Sequence, residues 1–266
     1  MRNKKLDGLL MGVLITALGS LGLIAPALFS PRSTPTAFLD RNANKYQRAQ
    51  AQTVLIKSTS GEGSGVVLHQ GDSTVVWTAD HVVAGDTIVI VNRILRWHGH
   101  KAGVIVFTAK VLAHFPEVDA ALLLVDCPIT AFEGATFSTA DPVPGTTLFH
   151  VGNLLGDAFD GSVTRGILSQ VGVHPNAPGW PWVLVDQTDL RCLPGSSGGP
   201  VFSDVDGKVV GILVGGPGQG TLGISCYIPV RELLRVAKEY RGAILPSGNI
   251  AVEPKKPSPV IDCRTR

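Results

Sequence analysis

The segment Pro194-Gly195-Ser196-Ser197-Gly198-Gly199-Pro200-Val201 sets a serine among glycines just before an apolar run. Acyl transfer asks for this arrangement: a hydroxyl exposed on a tight turn, with backbone N–H groups aimed at the oxygen that turns negative in a tetrahedral intermediate. Ser197 is the candidate nucleophile, and the N–H groups of Gly195 and Ser197 are the candidate donors. Glycine at 195 allows a peptide orientation that a side chain would hinder, and Gly198-Gly199 lets the backbone pass close to a bound chain. A Gly/Ser-rich turn standing alone is more often structural, so the reading depends on what accompanies it.

Two other segments supply the company. In Trp77-Thr78-Ala79-Asp80-His81-Val82-Val83 a histidine follows directly on an apolar strand, where the rim of a barrel would present it to a cleft as a general base. In Val118-Asp119-Ala120-Ala121-Leu122-Leu123-Leu124-Val125 one carboxylate stands at the mouth of a strongly apolar strand, where burial would demand a partner. Singly, the histidine reads as structural or exposed and the aspartate as a turn former. His98-Gly99-His100 resembles a metal pair only superficially and reads as solvated surface.

The elements that must position these groups are short strands. Apolar runs separated by turn signals recur at 54–56, 65–69, 75–78, 87–91, 104–112 and 121–125, and again at 147–151, 163–173, 183–186, 200–203, 209–214 and 223–228. Two such sets without long helices between them predict an all-β fold of two packed antiparallel β-barrels, about 53–127 and 145–228, joined near 128–145. Residues 229–241 have helical spacing with a charged outer face and predict a C-terminal helix. Residues 243–266 carry four prolines and few large apolar groups, and predict a disordered tail.

Arg2, Lys4 and Lys5 precede an apolar run from Gly8 to Phe29 that no charge interrupts. Residues 1–30 therefore read as an N-terminal hydrophobic helix, either a retained membrane anchor or a signal peptide cleaved near Ala25-Pro26-Ala27. Both readings place the body outside the cytoplasm, membrane-anchored or secreted. Residues 31–52 read as a linker with room for a short helix between Thr36 and Ala51. A formal charge of +2, with no basic stripe interleaved with aromatics, argues against nucleic acid as a partner. The four cysteines form no CxxC pair, so zinc and thioredoxin-like chemistry have little support, and their pairing stays open among the three possibilities.

With His81, Asp119 and Ser197 in this order and these contexts, the sequence resembles the trypsin-like serine proteases, and most closely their Deg/HtrA-like branch. The resemblance rests on His81-Val82-Val83, Asp119-Ala120-Ala121-Leu122, Ser162-Val163-Thr164-Arg165-Gly166-Ile167 and Gln187-Thr188-Asp189 ahead of Pro194. It covers about residues 50–240 and implies a chymotrypsin-like double barrel. It also implies that His81 is the general base, that Asp119 orients it, that Gly195 and Ser197 form the oxyanion hole, and that neither metal nor cofactor takes part. A substrate pocket would be walled by Arg191, Leu193, Val214, Gly215, Gly216 and Ser225. No carboxylate stands among them, so a small or medium apolar P1 side chain is the default; an inward Arg191 would instead favour an acidic one. Cys192 and Cys226 flank the serine much as a primary-pocket disulfide does in trypsin-like relatives. The chain after Ser197 is too short for the PDZ domain that many members of this branch carry. Ser196 replaces the Asn usual in that branch. A homo-oligomer is implied by the branch alone, with no residue arguing for it independently.

The reading is therefore a serine endopeptidase acting on proteins or peptides, in quality control or regulated processing. The alternatives are a protease dedicated to one polyprotein or partner, and a catalytically silent protease fold that binds peptides.

Overall fold

The computed structural model describes residues 43–175, 184–216 and 223–239. The candidate anchor, most of the linker and the tail lie outside the described residues. Among those that are described, no helix is long and apolar enough to cross a membrane.

Strands β1 (Thr53–Ser58), β2 (Gly61–Gln70), β3 (Ser73–Thr78), β4 (Ile88–Trp97), β5 (His100–Phe115) and β6 (Ala120–Val125) close into one antiparallel barrel in the order β1-β2-β3-β6-β5-β4. Strands β7 (Thr147–Leu154), β8 (Phe159–Val173), β9 (Val185–Thr188), β10 (Pro200–Ser203), β11 (Val209–Gly215) and β12 (Ser225–Pro229) close into a second, ordered β10-β11-β12-β9-β8-β7. Closure pairs every strand on both sides and leaves no exposed edge. Several strands, among them β2, β5 and β8, begin earlier than the apolar runs suggest. β2 starts at Gly61 because the polar residues of its first turn pair with β1, Ser58 facing Gly61 and Lys57 facing Glu62.

The core is continuous across the barrels. Trp77 stacks on Phe115 at 5.6 Å in the first, and Phe149 stacks on Phe202 at 4.9 Å in the second. A separate cluster of Leu148, Leu168, Leu190, Val201, Val210, Leu213 and Tyr227 fills the second barrel.

Two helices brace this body. Helix α1 (Lys45–Ala51) opens with a capping box, Asn44 accepting from the Gln47 amide while Gln47 accepts from that of Asn44. Its Lys45 and Tyr46 both meet Asp204 beyond β10, at 2.7 and 3.1 Å, and Arg165 of β8 joins them at 2.8 Å. Burial works against the charge of Asp204, but these three donors outweigh it and hold its pKa below the usual carboxylate value. Helix α2 (Val230–Glu239) buries Val230, Leu233 and Val236. Its Arg231 reaches the fully buried Asp186 of β9 at 2.6 and 3.1 Å.

Candidate active site

Thr78 ends β3, and the chain turns at once into a short 3-10 helix, Asp80–Val82, that carries His81 to the barrel rim. A second 3-10 turn, Pro116–Val118, closes β5 and delivers Asp119 in the left-handed region, φ 51° and ψ 48°. Aspartate tolerates this conformation better than most residues, and such strain concentrates at functional sites. Asp119 binds His81 three ways. Its Oδ1 accepts the His81 backbone N–H at 3.0 Å, and ring Nδ1 lies 2.8 Å from Oδ2 and 3.1 Å from Oδ1. An ionised carboxylate only accepts hydrogen bonds, so the proton sits on Nδ1 and Nε2 is left as a free base.

Burial opposes charging His81, yet the hydrogen bond and charge of Asp119, together with the charge of Asp80, outweigh it and raise its pKa above the ordinary 6.5. Asp80 is itself paired with His114 of β5 at 2.6 Å. Two His–Asp pairs therefore share this corner of the first barrel.

The candidate nucleophile, Ser197, comes from the second barrel, on the loop between β9 and β10. Leu193–Ser196 is a type II turn, with Pro194 at its second position, Gly195 at its third with φ 89°, and the Ser196 amide donating to the Leu193 carbonyl at 3.0 Å. A Cβ on Gly195 would stand 2.3 Å from the Asn153 carbonyl oxygen. Ser196 closes the turn with its side chain, donating to the Leu193 carbonyl at 2.5 Å and accepting from the Leu193 amide at 3.1 Å. Its hydroxyl thus does locally what a larger polar residue could do there.

The two candidate oxyanion donors are aimed by their neighbours. In a trans peptide the N–H points opposite to the preceding carbonyl. The Pro194 carbonyl accepts from the Leu155 amide at 2.6 Å and the Ser196 carbonyl from the Gly199 amide at 3.1 Å. Both carbonyls turn away, so the amides of Gly195 and Ser197 turn towards the cleft, and neither has an acceptor among the described residues. Gly198, at φ 81°, passes so close to the first barrel that a Cβ would lie 2.2 Å from Thr78 Oγ1.

Ser197 Oγ points to the Val214 carbonyl at 3.4 Å and makes no hydrogen bond to His81 among the described residues. Catalytic hydrogen bonds of this kind commonly tighten only when substrate is present.

The remaining pocket residues are divided in their orientation. Arg191 and Leu193 are exposed, and Arg191 has no ion-pair partner among the described residues. Val214 buries its side chain in the core and offers its carbonyl; Gly215 and Gly216 follow it at the end of β11. Ser225 is buried, its hydroxyl given to the Leu190 carbonyl at 2.6 Å. Cys192 and Cys226 are free thiols, not the disulfide the resemblance implied. The two thiols lie close to one another: burial first, then the neighbouring Cys192 and Asp186, push the Cys226 thiol up to about 11. Cys127 is also free. His98 and His100 sit at the exposed tip of the β4–β5 hairpin.

Residues 63–212 match the trypsin-like peptidase domain. The chain belongs to the trypsin-like peptidase family. Within that family it lies on the Deg/HtrA branch. It is 32% identical over 189 residues to a probable periplasmic serine endoprotease, DegP-like, of Marinomonas sp. (strain MWYL1), covering 68% of this chain and 36% of the relative. It is 30% identical over 203 residues to the chloroplastic Protease Do-like 1 of Arabidopsis thaliana, covering 74% and 43%. The chain thus spans less than half the length of these relatives. Among solved structures, an inactive form of the Rv3671c protease from M. tuberculosis H37Rv superposes with a TM-score of 0.58 at 25% identity, covering 77% of this chain and 95% of that one. The HtrA-type protease AlgW, solved with a tripeptide, gives 0.59 at 23%, covering 73% and 62%, a likeness of fold.

The family frame makes two neighbours of the triad stand out. His150 of β7 is fully buried behind the nucleophile turn of this trypsin-like peptidase. Its Nδ1 donates to the Pro200 carbonyl at 2.9 Å, its Nε2 is buried without a partner, and burial pushes its pKa down to about 4. Ser64 of β2, also fully buried, touches the nucleophile loop twice. Neither is marked by its sequence context: His150 is one of seven histidines, and Ser64 lies in a Gly-rich stretch that resembles a turn.

Proposed function

We propose that this protein is an active serine endopeptidase that cleaves protein or peptide substrates through an acyl-enzyme on Ser197. The observation that carries the reading is the Asp119 carboxylate on His81 Nδ1, which leaves Nε2 as the basic nitrogen. Ser197 Oγ attacks the scissile carbonyl carbon as its proton passes to Nε2. The carbonyl oxygen becomes an oxyanion within reach of the Gly195 and Ser197 amides. His81 then protonates the leaving amine, the C–N bond breaks, and a water molecule repeats the sequence to release the acid and restore Ser197. Asp119 stays ionised and stabilises the imidazolium.

An apolar P1 side chain of small or medium size is favoured by the absence of a carboxylate from the pocket residues and by the Ser225 hydroxyl already engaged on Leu190. The periplasmic description of the relatives and the apolar segment 8–29 support an extracytoplasmic site of action, exported or tethered by that segment, in protein quality control or regulated processing.

The experiment is intact-mass spectrometry of residues 31–266 after treatment with a fluorophosphonate, beside Ser197→Ala. One adduct in the parent and none in the variant is expected. A folded parent that takes up no reagent would reduce the protein to a peptide-binding relative.

A further inference from the structure

We infer that Ser64 is the positioning residue that sets the oxyanion hole and holds the nucleophile loop against the base, a role that rests on the proteolytic reading above. His81 and Asp119 belong to the first barrel and Ser197 to the second, so catalysis depends on the register between the two. Ser64, on β2 of the first barrel, spans that join. Its amide donates to the Ser197 carbonyl at 2.8 Å and its hydroxyl to the Gly195 carbonyl at 2.7 Å. It therefore fixes the carbonyls of the two residues whose amides form the hole.

The hydroxyl has no capacity to spare. A serine Oγ offers one donor and two acceptor sites. The donor goes to Gly195, and the acceptors take the Asn153 amide at 2.8 Å and Asn153 Nδ2 at 3.1 Å. Asn153 is buried too. Its Nδ2 also donates to the Val54 carbonyl of β1 at 2.9 Å, and its Oδ1 accepts from the Gly161 amide at 3.0 Å. Two residues further on, the Leu155 amide holds the Pro194 carbonyl. Both peptide planes that flank the Gly195 Cα are thus pinned, one by Leu155 and the other by Ser64, and the conformation of that residue is fixed between them. On the opposite side, Thr78 Oγ1 donates to the Ser64 carbonyl at 2.7 Å, which ties Ser64 to the strand that delivers His81.

The contact requires the backbones to meet closely. A Cβ on neighbouring Gly63 would lie 3.2 Å from the Ser197 carbonyl oxygen and 2.5 Å from Val82. Ser64 is thus a side chain placed at a close approach of the two barrels behind Ser197. A residue with this task acts on the transition state more than on substrate binding, because the hole binds charge that develops only there.

The test is Ser64→Ala in the enzyme, read by steady-state kinetics on a peptide substrate and by affinity for a peptidyl boronic acid, whose tetrahedral adduct occupies the hole. Losing one oxyanion donor outright costs roughly 100- to 1,000-fold in turnover, so misaiming one should cost about 10- to 100-fold in kcat. KM should stay within about twofold, and boronate affinity should fall in parallel with kcat. Binding of the substrate peptide to Ser197→Ala should be the same with and without Ser64→Ala. If Ser64→Ala does not fold, Ser64→Cys carries the test, with a longer and weaker hydrogen bond expected to give an intermediate loss of kcat and of boronate affinity. Boronate affinity equal to the parent's in a folded variant overturns the inference, as does a kcat loss matched by loss of ground-state peptide binding. A parent inert to the boronate overturns the proteolytic reading and this inference with it; a reactive parent and an equally reactive variant overturn this inference alone.

Discussion

Asp119 Oδ1 accepts from the backbone amide of His81 while Oδ2 faces its ring nitrogen, so one carboxylate fixes both the chain and the tautomer of the base. The two tasks can be separated by Asp119→Asn. The amide oxygen can still accept the backbone N–H, but the amide nitrogen would face Nδ1 as a donor and drive the ring proton to Nε2. Turnover should fall about 10,000-fold, the size of this effect in a triad of the same type, with the melting temperature little changed. Activity within tenfold of the parent's would remove Asp119 from its role.

The acid limb of the activity profile belongs to His81. Its pKa is raised, and the protonated ring cannot take the Ser197 proton. kcat/KM should therefore rise with pH through an apparent value above 6.5, and Asp80→Asn should move that limb towards lower pH by removing one of the charges that favour the protonated ring. The pH dependence of the initial rate for parent and variant checks both statements. A limb at or below 6.5 in the parent, or one that Asp80→Asn leaves in place, contradicts them.

His150 should govern part of the stability in acid. The unfolded chain protonates this ring near pH 6.5 and the folded chain only near 4, so stability is whole above 6.5, falls as pH drops through that window, and levels off below it. The full loss from this one group is about 3 kcal/mol. Urea midpoints at pH 7 and pH 4.5 should differ less for His150→Asn, whose amide can still donate to Pro200, than for the parent. Equal differences would show that another group carries the effect.

Arg231 leaves Asp186 as its dependant. The carboxylate is fully buried, with Arg231 and the Gly172 amide as its partners. Arg231→Met should destabilise by about 3–5 kcal/mol, because it strands a buried charge. Asp186→Asn combined with Arg231→Met should recover part of that loss in chemical denaturation; a double variant no more stable than the single one would argue that the pair contributes by packing alone.

The legible part of this fold is the part written in local patterns. Apolar alternation located every strand and the two barrels, and helix α2 follows from the spacing of Val230, Leu233 and Val236. The His81–Asp119 pair, and Ser197 as a candidate beside it, stand out in sequence because each sits in a distinctive local context at a strand end. Ser64 does not, since its Oγ bonds reach Gly195, 131 residues away, and Asn153, 89 away. His150 was invisible for a similar reason: its burial follows from facing Val201 on one side and Thr164 on the other, a register fixed only when the second barrel closes. The Cys192–Cys226 pairing came from the resemblance alone; both thiols are free here, close enough for Cys192 to raise the pKa of Cys226.

The clasp of α1 on Asp204 reaches beyond stability. Lys45 and Tyr46, within the segment read as a linker, hold a residue of the second barrel, while Gln52, which caps the same helix, leads straight into β1 of the first. Helix α1 is thus a strap between the barrels, fastened to the second through Asp204 and continuous with the first through Gln52.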